Sequence, residues 1–189
     1  MFLHPVYLAT LLVGALAAPH EERSGTKLTQ AQAEARLVPE NIIAYSTGGC
    51  TTKTVSTCTS YDGIYSGTVD GVITLKNAAG VSGLTITGGT EVGHASGTYS
   101  HSNGYKVDVR HQTGLDNYIH NTFTKIANRA DGYPQWQAAS GNLYCVGFSS
   151  ITSCFRTSVM HRMRETIGIL HTFEGCSRYL SDQPCPSAY

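Results

Sequence analysis

Between Gly88 and Asp108 the chain crowds glycines, two histidines and two carboxylates into one run: Gly88-Gly89-Thr90-Glu91-Val92-Gly93-His94-Ala95-Ser96-Gly97-Thr98-Tyr99-Ser100-His101-Ser102-Asn103-Gly104-Tyr105-Lys106-Val107-Asp108. His101 and Asp108 are the candidate ligands of a zinc ion, which takes imidazole nitrogen and carboxylate oxygen at about 2.0–2.2 Å. Seven residues of extended chain would hold them about 23–25 Å apart. The chain must therefore reverse between them, and Ser102-Asn103-Gly104 can do it, because Asn and Gly tolerate positive φ. Asp108 then projects from one face of a strand over Tyr105 to Arg110, with Lys106 and Arg110 beside it and Val107 and Val109 on the other face. A metal held there lowers the pKa of bound water to about 7 and polarises a carbonyl oxygen. Glu91 and His94 are candidates to line a substrate cleft or to orient a ligand from behind it, with a structural turn as the alternative. Arg110, His111 and His120 read as surface residues, and Trp136 as core.

Several elements must position these groups. Thr29-Gln30-Ala31-Gln32 has the pattern of a capping box, and Gln30 to Leu37 is rich in helix formers. Leu28, Ala31, Ala35 and Val38 can share its packed face, and Pro39 ends it. Thr59 to Ile64 reads as a helical turn capped by Thr59. Thr68 to Lys76 is β-branched and partly alternating, which predicts a strand. Asn77 to Gly83 is a turn cluster, and Leu84-Thr85-Ile86-Thr87 is a second strand running into Gly88-Gly89. Asp116 can cap a helix with Ile119, Phe123 and Ile126 on its apolar side. Ala130 to Pro134 is a turn. Gln135 to Ala138 and Asn142 to Tyr144 form a hairpin about Ala139-Ser140-Gly141. The expected fold is α+β: a single domain with a small, mainly antiparallel sheet flanked by helices.

Ser100-His101-x-x-Gly104-x-x-x-Asp108 resembles the His-x-x-Gly-x-x-x-Asp signature of the zinc D-alanyl-D-alanine carboxypeptidase family. That family has a Hedgehog-like zinc-peptidase fold and includes vancomycin-resistance D,D-dipeptidases and phage L-alanyl-D-glutamate endopeptidases. The similarity runs over about Leu28 to Tyr144. It is strongest to a secreted subgroup with Gly-Gly-Thr-Glu-x-Gly-His and Ser-His-x-Asn-Gly-Tyr-Lys-x-Asp. The resemblance implies a zinc held by His101, Asp108 and a later His, with a catalytic Glu three residues before that His. This chain has Tyr99 where many members have Ser, and Lys106 where many have Ala. Lys106 shares a face with Asp108 and can form an ion pair with it.

At 189 residues the chain is long enough for one domain with a real core. Its formal net charge is zero, which gives nucleic acid or an anionic membrane surface nothing to attract. Met1 to Ala18 reads as a secretory signal, with Ala15-Leu16-Ala17 as a small-x-small cleavage site and an apolar stretch too short to span a bilayer. The expected organisation is a signal peptide at residues 1–17, a leader at 18–27, flexible up to Thr26, and a zinc-peptidase-like domain at 28–144. A divergent tail at 145–189 completes it. A secreted, extracellular protein can form disulfides, and Cys50 pairs with Cys58 across a short polar loop.

The tail departs from the resemblance, which calls for a short final strand after Leu143-Tyr144 carrying Glu-x-x-His-Trp. His161 and His171 lack a Glu three residues before them, and the tail shows no strand or helix periodicity. Read from the third base of each codon, Met163 to Ile169 is compatible with Glu-Gly-Asn-His-Trp-Asp, and Phe173-Glu174 can supply a stop. This reading makes the tail a product of a retained intron or a gene-model error. The alternative is a genuine tail with local disulfides Cys145–Cys154 and Cys176–Cys185.

The implied function is hydrolysis of a short cell-wall-type peptide, at a D-Ala-D-Ala or related bond, by a zinc-activated water. The protein would be a monomer acting on small peptides or peptidoglycan fragments, with no nucleic-acid or membrane partner and an incomplete site in this chain. Two other classes stand beside it: a non-catalytic secreted binding protein on a degenerate peptidase scaffold, and a disulfide-stabilised structural protein.

Overall fold

A computed structural model describes residues 24–147 and 150–154. The signal peptide, the alternative reading frame and the Cys176–Cys185 pairing lie outside them. In chain order the elements are β1 (Lys27–Leu28), α1 (Gln30–Leu37), a 3-10 turn (Val38–Glu40), β2 (Ile42–Ala44), β3 (Ile64–Tyr65), α2 (Ser66–Ala79), β4 (Leu84–Gly88) and β5 (Lys106–Arg110). There follow α3 (Thr113–Thr122), β6 (Thr124–Ile126), β7 (Gln135–Gln137), β8 (Leu143–Val146) and β9 (Ser150–Cys154). Among the described residues, seven strands form one sheet in the order β2-β4-β5-β9-β8-β7-β6, and β1 pairs with β3 separately. Among these described strands only β2 and β4 run parallel; every other neighbouring pair is antiparallel. The α+β class is as expected. No helix among the described residues is long and apolar enough to cross a membrane.

The core forms where one face of the sheet meets the helices. Ile86, Val107, Val109 and Ile151 are fully buried with Val69, Val72, Leu115 and Ile119. Val107 and Val109 share that face, while Lys106 and Asp108 point the other way. Both of these are also buried, so β5 is covered on two sides. Helix α1 starts at a complete capping box: Thr29 Oγ1 accepts from Gln32 N–H, and Gln32 Oε1 accepts from Thr29 N–H. Its buried face is Ala33 and Leu37, not the expected Ala31, Ala35 and Val38. Arg36 of α1 pairs instead with Asp70 of α2 across the helix contact.

Three other expectations change. Residues 68–76 are helical, not a strand. Thr68, Val69, Val72 and Leu75 are the buried positions of α2, a helical spacing, and packing against the sheet overrides the β-branched preference. The helix ends at Gly80 with φ 64, whose N–H bonds back to Asn77 O, as a left-handed cap does. Thr59 to Tyr61 is irregular chain rather than a capped helical turn. Helix α3 starts after Gln112 and stops at Thr122, so Ile126 belongs to β6 and Asp116 lies inside the first turn.

The boundaries also move. Ser24 is buried, and Thr26 and Lys27 bond into the fold through Ser66 N–H···O Thr26 and the β1–β3 pair. The end of the leader is thus part of the domain. The sheet continues past Tyr144, and β9 lies between β5 and β8. Its register sets Thr152 opposite both Asp108 and Cys145, and Cys154 opposite Leu143; Cys145 and Cys154 do not stand across from one another. The expected Cys50–Cys58 disulfide is present, with Cα atoms 4.7 Å apart.

Ile86 is fully buried at the centre of this core. Ile86→Ala is expected to cost about 2–5 kcal/mol, read as a lowered urea midpoint at unchanged slope.

Candidate metal centre

The site is assembled where β4 ends beside β5. Ile86 pairs with Val109 and Gly88 with Asp108, so the register shifts between them. A bulge of this kind re-aims the chain next to a functional group. The glycine at 88 makes room: a Cβ there would lie 2.7 Å from Asp108 Oδ2 and 3.1 Å from His94 Cε1.

The loop from Gly89 to Tyr105 brings both histidines back over Asp108. Its last reversal is the expected one. Gly104 has φ +87, its N–H bonds His101 O at 2.8 Å, and Tyr105 N–H bonds Ser100 O at 3.2 Å. A Cβ at Gly104 would lie 2.3 Å from Gly63 O, so the turn sits directly on the chain entering β3. Asn103 Nδ2 ties it to Gly97 O and Thr98 O at 2.9 and 3.2 Å. Tyr99 and Tyr105 pack edge to face, and Tyr105 packs on Tyr65, so the departure at Tyr99 joins an aromatic cluster.

His101 is buried, and its Nδ1 lies 2.8 Å from Gly89 O. A carbonyl only accepts, so Nδ1 carries a proton and donates it. Nε2 faces Asp108 Oδ1 at 3.4 Å. That carboxylate oxygen also accepts from Thr152 Oγ1 at 2.7 Å. His94 stacks on His101 with ring centroids 3.9 Å apart and planes at 15°. Its Nε2 lies 2.8 Å from Glu91 Oε1. Glu91 is only 2 % exposed. Its Oε2 accepts from Ser60 N–H at 2.7 Å, and both oxygens accept from Gly89 N–H at 3.0 Å. Gly89 therefore serves both rings: its carbonyl holds His101, and its N–H holds the carboxylate that holds His94.

These contacts set the charges. Burial alone would raise the Glu91 carboxyl, but the hydrogen bonds from His94, Ser60 and Gly89 outweigh it and leave its pKa below the ordinary value. Burial likewise opposes ionisation of Asp108, yet His101, the Thr152 hydroxyl and His94 hold it low. Burial presses the His94 pKa down and the Lys106 charge adds to that, while Glu91 and Asp108 raise it by more. Two ionised carboxylates beside one buried ammonium leave a net negative pocket whenever both rings are neutral.

His94, His101 and Asp108 each offer a donor atom, all within 4.8 Å of one another. Donors around a tetrahedral zinc at about 2.0–2.2 Å stand about 3.3–3.6 Å apart, a separation small side-chain movements can reach. Two imidazoles and one carboxylate suit a divalent first-row ion with a position left open. His101 and Asp108 were the expected pair. His94 was expected at the substrate cleft or behind a ligand, and the structure sets it among the donors, with Glu91 behind it. Thr152 was not foreseen, because nothing in its segment marks a strand. Of the presumed surface residues, Arg110 and His120 are exposed, while His111 bridges Asp116 at 3.1 Å and Gly147 O at 3.0 Å. Trp136 is buried, with His120 stacked on it.

The chain matches no protein-family model, no curated protein and no solved structure.

Gly88→Ala is expected to displace Asp108 and His94 and so to weaken binding of a divalent ion offered to these donors about 10–100-fold, measured by competition with a chromophoric chelator. Acid should act on the metal-free protein through Asp108 and Glu91, both held below the ordinary carboxylate range. Their contribution to stability is complete above about pH 4–5 and falls away as the pH drops through the lower folded values. A urea midpoint that declines over that acidic window checks it.

Proposed function

We propose that this chain is a secreted protein of the zinc-peptidase type that holds one zinc ion at His94, His101 and Asp108 and acts on short cell-wall-type peptides, at D-Ala-D-Ala or related bonds. The observation that carries the reading is the meeting of His101 Nε2 with Asp108 Oδ1 at 3.4 Å. With Nδ1 committed to Gly89 O, a neutral ring turns a lone pair toward a carboxylate oxygen, and a cation between them resolves that contact. Bound there, zinc would polarise a peptide carbonyl and make water acidic near neutral pH. The protein's own part is to fix the donors: Gly89 orients one ring, Thr152 one carboxylate oxygen, and the glycine at 88 leaves space beside them. His94, at 17 % exposure, is the least covered donor and marks the side from which a peptide approaches. The family resemblance of the run from Gly88 to Asp108 supports the substrate class.

A second reading, a non-catalytic binder of cell-wall peptides on the same scaffold, is favoured by Glu91. Among the described residues it is the carboxylate that touches the donors without being one, and Ser60, Gly89 and His94 already occupy its oxygens. A base that takes a proton from water needs a free oxygen within reach. On the peptidase reading, the missing base would come from the other frame between Tyr144 and Leu170, which is compatible with Glu-x-x-His-Trp. Transcript sequence there that does not spell His-Trp would remove this source.

About one equivalent of zinc is expected in the purified full chain, by analogy with three-ligand sites that keep one position open, and His101→Ala should lose most of it. A wild-type chain that stays metal-free after equilibration with zinc would overturn the metal reading. Release of D-alanine from a D-Ala-D-Ala peptide supports the peptidase. Zinc and peptide binding without cleavage supports the binder.

A further inference from the structure

We infer that Glu91 is a positioning residue: by accepting the Nε2–H of His94 it makes Nδ1 the nitrogen that this ring offers to a metal. The inference rests on the proposed role of His94 as a donor and adds what selects its donor atom. A neutral imidazole has one N–H and one lone pair, and its neighbours decide which nitrogen carries which. Here the neighbour leaves no choice. Glu91 Oε2 is met by Ser60 N–H at 2.7 Å and Gly89 N–H at 3.0 Å, and Oε1 also by Gly89 N–H at 3.0 Å, all obligate donors that call for a carboxylate acceptor. Oε1, 2.8 Å from His94 Nε2, can then only accept. A carboxylate behind a ligating histidine fixes ring orientation and raises basicity in this way.

The anchor of Glu91 is itself rigid. Ser60 O accepts from Thr90 N–H at 2.7 Å and from Thr90 Oγ1 at 3.2 Å. Thr59 Oγ1 donates to Tyr45 O at 2.8 Å, and Thr59 N–H bonds Cys50 O at 3.0 Å beside the disulfide. A Cβ at Gly89 would lie 2.0 Å from Ser60 O, so the two backbones touch. The carboxylate cannot swing away from His94 without breaking this junction.

Replacing the carboxylate by an amide gives a sharp consequence. In Glu91→Gln the single side-chain oxygen is claimed by the Ser60 and Gly89 N–H groups, which turns the amide NH2 toward His94. Nε2 must then accept, the ring proton moves to Nδ1, and the donor lone pair is lost. Long-range 1H–15N spectra of the His-labelled full chain, metal-free at alkaline pH, read the tautomer directly. Wild type is expected to show His94 as the Nε2–H form, and zinc addition should shift Nδ1 while the Nε2–H persists. Glu91→Gln should show the Nδ1–H form and bind zinc about 10–100-fold more weakly. A wild-type Nδ1–H tautomer, or unchanged zinc affinity and tautomer in Glu91→Gln, overturns the inference and leaves the metal reading standing. The expected tautomer with no zinc uptake by wild type overturns the donor role together with the metal reading. Should Glu91→Gln fail to fold, the wild-type tautomer and its response to zinc still decide.

Discussion

The carbonyl oxygen of Gly89 can only accept, and the amide of the same residue can only donate. His101 Nδ1 meets the first at 2.8 Å, and the Glu91 carboxylate meets the second at 3.0 Å. One residue thus acts on both rings, directly on His101 and through Glu91 on His94. Gly89 can play this part only because it has no side chain, since the Ser60 carbonyl fills the space where a Cβ would stand. That close approach is what the neighbouring elements maintain. Strand β4 delivers residue 89 at a bulge, and the Cys50–Cys58 loop delivers Ser60.

Asp108 needs a different kind of support, because its own strand is covered on both sides. An ionised carboxylate in such a place is stable only when polar partners replace the water it has lost. The sheet supplies one through register: β9 lies antiparallel to β5 so that Thr152 falls opposite Asp108, and its hydroxyl reaches Oδ1 at 2.7 Å. From the loop, His101 Nε2 stands 3.4 Å from that same oxygen. The centre therefore couples one continuous run, the loop after β4 and strand β5, to the distant segment at 150–154.

Much of this was legible beforehand. His101, Asp108 and the reversal at Gly104 follow from donor chemistry and the φ freedom of glycine. The capping box of α1, the β4 and β5 strands, the β7–β8 hairpin and the Cys50–Cys58 pair follow from local signals that the fold leaves intact. The failures have one cause, tertiary packing. Residues 68–76 have strand-like chemistry, yet their buried positions recur at helical spacing because the segment lies on the sheet rather than in it. The face of α1 turns to Ala33 and Leu37 because α2, not the α1 composition, decides which side is covered. Ile126 continues an apolar spacing past a helix end set at Phe123. Thr152 stayed hidden because a hydroxyl opposite a carboxylate is a fact of strand register, which no local pattern encodes.

The position of β9 also has a consequence for how the chain acquires its shape. It is the last described strand in sequence, yet it sits in the interior of the sheet, pairing with β5 on one side and β8 on the other. Strands β2, β4 and β5 can join as soon as they are made, and β6, β7 and β8 can form a meander of their own. The two halves become one sheet only when residues 150–154 slide between them. During synthesis, therefore, β5 and β8 each wait with an open edge of unpaired backbone groups, the feature that invites strand exchange and aggregation. Closure of the sheet and completion of the Asp108 environment both need β9, so a nascent chain has neither until residues 150–154 have left the ribosome.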